Sequence, residues 1–297
     1  MKQLVLHRFA IAAATVAAAM LPWLADAYTV SVAAYALILA LIAASAHVLL
    51  IAGLPSLGQA AYLGLGAYAA TWCARDVTTS APALLAVAVG ACVTAAAVIG
   101  VALVRTRATL FMILTLMAGE LAYTAAAQHG EGLAAPATSL GPDVRLTADG
   151  HIYLYCLTVT AIALAGLWRL RSSRTCLIWR GIADNEAHLR TTGHHVENQL
   201  WLAYVAAAAA AGVAGALLVT AHRFVGPADM SADISALALL AAIIGGRSAA
   251  GAVAAAAVLI VVRDLSGGFL SAHTPLLLGL VFLVAAYLPH RRLQAAP

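Results

Sequence analysis

Ten apolar runs follow one another along this chain with little between them, near residues 9–24, 28–51, 57–74, 82–104, 109–128, 152–170, 200–221, 234–246, 249–262 and 275–288. A helix needs about 20 apolar residues to cross a hydrocarbon core about 30 Å thick. Most of the runs meet that length. The first, eighth and ninth are short, which suits re-entrant or broken helices. The expected fold is therefore all-α: a polytopic transmembrane helical bundle of eight to ten spans, ten being the working number, forming one transmembrane domain over residues 1–297. Only 9% of the residues are charged, against roughly 25% in an ordinary soluble domain. A soluble enzyme, a disordered chain and a collagen-like repeat are all excluded, because so much apolar surface requires lipid as its solvent.

The charges orient the bundle. With the N-terminus in the cytoplasm and alternating spans, the inner side holds Lys2, Arg8, Arg105, Arg107, the five arginines from Arg169 to Arg190, Arg247, Arg291 and Arg292. The outer side holds Arg75, Arg145, Arg223 and Arg263, with eight acidic residues that include Asp229 and Asp233. This is the inward bias of the positive-inside rule, and it places both termini in the cytoplasm of a multi-pass cell (inner) membrane protein. Residues 9–24 follow a basic start and precede Ala25, Asp26 and Ala27, which resemble a cleavage site; an uncleaved first helix is the preferred reading over a removed leader. Arg247, after Gly246, reads as an anchor for a helix end at the inner face. The arginines are spread between apolar runs, so no basic patch points to nucleic acid.

Lys2 is the chain's one lysine. It has no glycine run beside it, so the chain carries no P-loop of its own and binds no cofactor; any ATP is used elsewhere. Cys73, Cys92, Cys156 and Cys176 form no CxxC pair, and His194 and His195 lack ligand spacing, so neither a disulfide framework nor a metal site is expected. No nucleophile–base pair and no paired carboxylates appear, so the chain is read as a non-enzyme.

Two polar stretches interrupt the runs. Residues 129–151 form an extracytoplasmic loop with Pro136, Gly141, Pro142 and Gly150. Residues 169–199 form a cytoplasmic segment rich in Arg and His. In it Ile182, Glu186 and Leu189 fall at helical spacing, and Gly193 supplies a stop. Such a short amphipathic helix can lie across a cytoplasmic partner and pass on motion, or rest on lipid headgroups.

Four further features concern a path through the membrane. Pro55 breaks a helix, and Ser56 can cap the next one, whose free N–H groups attract a carboxylate. Gly58, Gly64 and Gly66 read as close-packing residues. Ser56 and Gln59 suit either pore lining or packing. Glu120 lies well inside an apolar run, where a charge costs about 2.5–3.5 kcal/mol, so it faces protein or water. Tyr62, Tyr68 and Tyr123 suit either the path or, more ordinarily, core and interfacial positions.

These motifs carry a resemblance. Glu186, Ala187 and Gly193 match the Glu-Ala…Gly signature of the coupling loop in ABC-importer permeases. Arg180, Ile182, Asn185, Glu186 and Gly193 are similar to the corresponding run in permeases of branched-chain amino acid ABC importers, of the LivM type. The run from Ser56 to Tyr62 resembles that family's Ser-Leu-Gly-Gln-Ala-Ala-Phe, and Gly245, Gly246 and Gly251 its later glycines. The chain departs from the pattern at Ala46–Leu50, where the family has Asn and Gly, and at Ala252, where it has Pro. The resemblance covers about Ala46 to Leu265. It implies a permease subunit that moves branched-chain or related amino acids. Its implied partners are a second permease subunit in a heterodimer, two cytoplasmic ATPases and an extracytoplasmic substrate-binding protein. The ATPases would dock on Arg180, Ile182, Asn185, Glu186, Ala187 and Gly193; the path residues would be Ser56, Gln59, Tyr62, Glu120 and Tyr123. The alternatives are a permease of the same family for urea or amides, and an ion-coupled secondary transporter, for which Glu120 is the one qualifying intramembrane group.

Overall fold

The computed structural model describes residues 18, 20–23, 25–106, 108–129, 132–141, 144–145, 149–246, 248–266 and 279. Most of the run at 9–24 and all but residue 279 of the run at 275–288 lie outside the described residues, as do Lys2, Arg8, Arg107, Arg247, Arg291 and Arg292. Among the described residues are nine α-helices: α1 (Ala27–Ile51), α2 (Gln59–Asp76), α3 (Ala81–Leu103), α4 (Ala108–His129), α5 (Asp149–Arg171), α6 (Arg174–Thr191), α7 (Val196–His222), α8 (Ala232–Ile244) and α9 (Ala249–Ser266). Four very short strands accompany them: β1 (Leu133–Ala134), β2 (Ser139–Gly141), β3 (Val144–Arg145) and β4 (Phe224–Val225). The eight apolar runs between 28 and 262 each coincide with one helix. Among the described residues, six segments are long and apolar enough to cross a membrane, one of them only when the turn at Pro227–Met230 is counted together with α8. The fold is an all-α polytopic bundle.

Local chemistry sets the helix ends. α1 stops where Gly53 takes φ +76° and Leu54 N–H donates to Leu49 O at 2.9 Å; Pro55 then bars a helical restart. Ser80 lies extended before α3, with Pro82 in the first turn, where its missing N–H costs nothing. α7 ends at Arg223, held left-handed at φ 52°. Gly245 and Gly246 close α8, and Gly246 has φ +57°.

α1 and α7 are the central helices, mostly buried, while α3, α4 and α5 leave most of their surface exposed. For a bundle solvated by lipid that exposure is ordinary. The packing at the centre depends on small residues. Gly66 of α2 faces Gly212 of α7, and a Cβ on Gly215 would lie 2.3 Å from Leu63 O. Such backbone approach is how apolar helices associate when lipid competes for their side chains.

The connections gather at two opposite ends. At the first, β1 pairs antiparallel with β4, Ala135 N–H donates to Arg223 O at 2.8 Å and Ser139 N–H to Thr79 O at 2.8 Å. Tyr28 Oη donates to Asp264 there at 2.6 Å. At the second, Gly53 approaches Ala183, His47 Nε2 lies 2.9 Å from Gly246 O, and Trp201 Nε1 donates to Ala97 O at 3.0 Å. Alternating spans require this segregation, and it puts the 129–151 and 169–199 stretches at opposite ends.

α8 is a half-helix. Its 13 residues rise about 20 Å at 1.5 Å each, well short of a crossing. The chain reaches its start by turning back from β4 through the 3-10 turn Pro227–Met230. That turn inserts Met230 against Gly64, about a third of the way along α2. So the short eighth run is a broken, re-entrant element. The ninth is longer than its apolar run, because α9 continues through Arg263 and Asp264.

Candidate functional site

The inserted turn leaves a cleft of about 600 Å³ open toward the β1–β4 end. Its walls carry Tyr35 of α1, Glu120 and Tyr123 of α4, Asp229, Asp233 and Arg263. α8 begins here, with Asp233 in its first turn, where a carboxylate meets the positive end of the helix dipole. Asp229 accepts a hydrogen bond from Gly226 N–H at 2.9 Å, which closes the turn. Glu120 is exposed on α4 and the cleft takes it up, so a charge that lipid would reject lies on a polar wall that also carries Arg263. Carboxylates facing a guanidinium and a helix N-terminus can hold the two ends of a zwitterion.

Below the cleft floor lies the break between α1 and α2. Ser56 and Gln59 are both enclosed there. The helix starts at Gln59 with Gly58 as its N-cap and no side-chain cap. Ser56 therefore does not cap α2, as its position before the apolar run implied. Its Oγ accepts Gly58 N–H at 3.2 Å and closes the preceding turn. Other hydroxyls take the nearby donors: Leu57 N–H bonds Thr115 Oγ1 at 3.2 Å, and Ala60 N–H bonds Ser235 Oγ at 2.9 Å. Gln59 Oε1 accepts from Ser45 Oγ at 2.9 Å, while its Nε2 is buried with no hydrogen-bond partner among the described residues.

The break and the cleft are neighbours. Thr115 stands five residues before Glu120 on α4, about 7.5 Å along the axis, and Ser235 sits two residues after Asp233, about 3 Å. Glu120 and Tyr123 thus share the cleft with the first turn of α8, and the start of α2 at Gln59 and Ala60 is tied to that turn through Ser235. Tyr62 stands apart. Its hydroxyl donates to Tyr204 Oη at 2.9 Å, and the two rings pack edge-on within a buried cluster that includes Phe111. Sequence reasoning missed Tyr35, Asp229, Asp233 and Arg263, which it left in spans and outer connections. The available signal was Gly226 and Pro227, a turn pair followed by two acidic residues ahead of an apolar run too short to cross.

At the opposite end, α6 forms an elbow between α5 and α7. Its first arm is anchored by Cys176, Trp179 and Ile182, three residues apart and all buried. The elbow is not one continuous helix as the Ile182, Glu186, Leu189 spacing implied. Asn185 is extended, at φ −157° and ψ 91°, and its Oδ1 accepts His188 N–H at 3.1 Å, so it caps a second short arm. That arm folds back, and Leu189 covers Gly181. Glu186 accepts from Arg190 Nε at 3.1 Å and Nη2 at 2.9 Å, and Arg190 also pairs with Glu197 at the start of α7. Glu186 first and then Glu197 hold the Arg190 guanidinium above its already high ordinary value. Arg180 is half-buried, Ala187 is exposed, and Gly193 turns the chain at φ +87° with open space around it. The exposed tip from Asn185 to Gly193 is a braced projection suited to gripping by another protein.

No curated protein and no solved structure matches the chain. The family described as "Branched-chain amino acid transport system / permease component" matches residues 28–286. That range takes in the cleft, the break and the elbow, and the chain belongs to this permease family of multi-pass transporter membrane subunits.

Proposed function

We propose that this chain is the membrane-spanning permease of an ABC importer for branched-chain or closely related amino acids, resident in the cell inner membrane. Two ATPase subunits grip the α6 elbow on the cytoplasmic side. A substrate-binding protein delivers the solute at the β1–β4 end. A second permease subunit covers α4, whose stripe Leu110, Ile113, Leu114, Met117 and Leu121 is exposed beside Glu120; a carboxylate on that stripe favours a partner and a wet path over bare lipid. The solute's ammonium group sits with Glu120 and the aspartates of the cleft, and its carboxylate meets Arg263 and the start of α8. Ser56, Gln59 and Tyr123 line its onward route. ATP-driven closure of the motors rocks the two permease halves between outward- and inward-facing states. The chain itself performs no catalysis.

The observation that carries this reading is the elbow: an arm locked into the bundle by Trp179 and Ile182, with a charged, braced tip facing away from it. Its test is leucine uptake by proteoliposomes holding the full assembly. Uptake should require ATP and both ATPases, and should collapse in Glu186→Ala and Gly193→Val. Uptake driven by a proton or sodium gradient without the ATPases would overturn it in favour of a secondary transporter.

A further inference from the structure

We infer that Gly53 is a positioning residue through which the α6 elbow moves the polar break, and that its contact with Ala183 is the point of transmission. The inference rests on the elbow being the docking site of the motors. Gly53 ends α1 at φ +76°, and a Cβ placed on it would lie 3.2 Å from Ala183 Cβ and 3.3 Å from Ala183 Cα. The turn at Gly53 and the elbow's first arm therefore meet across a single methyl, that of Ala183. Ala183 follows Ile182, the last buried anchor of the elbow's first arm, and precedes the bend at Asn185 by two residues. On the other side of the contact, Leu49 and Leu54 flank Gly53 and share one buried cluster with Trp179 and Ile182.

Beyond Gly53 the chain is short and stiff. Pro55 follows two residues later, then Ser56, then Gln59, whose amide holds Ser45 of α1, while the next residue's N–H holds Ser235 of α8. Ser235 lies in the first turn of the half-helix that lines the cleft. A displacement of the elbow is thus carried by packed backbone to the turn at Gly53, and from there by hydrogen bonds to the cleft floor. Such contiguous packing is a physical route by which energetic coupling can travel between two sites. A compliant side chain at Gly53 or a gap at Ala183 would absorb the motion.

The test is the number of leucine molecules transported per ATP hydrolysed by the reconstituted assembly. Gly53→Ala forces the contact apart, and Ala183→Gly leaves it slack; each should lower the ratio about three-fold or more. The double variant restores one methyl at the contact from the opposite side, and its ratio should recover above both singles. Backbone strain at position 53 alone lowers stability but does not predict this recovery. Unchanged ratios in assembled single variants, or additive losses in the double, would overturn the inference. If Gly53→Ala fails to assemble, Ala183→Gly alone decides: a fall supports the contact, and a wild-type ratio refutes it. Failure here, with Glu186→Ala and Gly193→Val still uncoupling, leaves the docking reading standing; coupling that also survives those two variants removes both.

Discussion

Gly215→Ala probes the packing that holds the site in place. The added methyl carbon would fall 2.3 Å from Leu63 O and 2.7 Å from Ala67 N. A carbon–oxygen contact normally lies at about 3.3–3.6 Å, so α2 and α7 must part by about 1 Å. The atoms it meets are backbone, and no rotamer change relieves them. Overpacking of this kind costs typically about 1–3 kcal/mol, here toward the upper value, against up to about 1 kcal/mol gained from alanine's helical preference. The net loss is about 2 kcal/mol. Gly90→Ala is the control: a Cβ at Gly90 has no atom within 4 Å, so it keeps the gain without the clash. Gly66→Ala, 3.0 Å from Gly212 Cα, should fall between them. Denaturation of the detergent-solubilised protein by SDS, followed by circular dichroism, orders the three. The reasoning is refuted if Gly215→Ala is as stable as Gly90→Ala.

Three other outcomes are expected. Asn185→Ala removes the cap on the second arm of the elbow, worth about 1 kcal/mol, so hydrogen exchange should quicken over residues 186–193 while the melting temperature of the bundle stays unchanged. Gln59→Met removes a buried amide nitrogen without a partner; stability should hold or rise, while leucine uptake by the assembly falls, and full uptake would reduce Gln59 to a packing residue. Tyr62→Phe strands the buried Tyr204 hydroxyl it now bonds, costing about 1–3 kcal/mol in the same SDS titration; no loss would mean the aromatic cluster holds together by ring packing alone.

Hydropathy and length located eight of the nine described helices, because lipid imposes one simple rule on apolar runs; α6, which is polar, showed only in the side-chain spacing within residues 169–199. Charge placement likewise separated the two polar stretches that the bundle sends to opposite ends. The losses came where a single residue's backbone decided the outcome. Nothing in the spacing of Ile182, Glu186 and Leu189 shows that Asn185 takes an extended conformation, since its side chain caps one arm only once the other is anchored by Trp179. Ser56 looked like a helix cap because it follows Pro55, where a helix breaks, but Gly58 serves as the cap and Thr115 and Ser235, far away in sequence, take the neighbouring donors. Asp229 and Asp233 read as outer-loop acids because hydropathy cannot tell a surface connection from one that folds back into the bundle. Glu120 was legible, since a lone charge in an apolar helix needs a polar neighbour whatever the fold.

The most direct measurement is the sidedness of the elbow. All four native cysteines are buried, so an Ala187→Cys variant offers one reactive thiol on the exposed arm. A membrane-impermeant maleimide should label it in inverted vesicles, leave it untouched in intact cells, and be blocked when the ATPases are bound. Labelling from outside intact cells would place the elbow beyond any cytoplasmic motor and contradict the account.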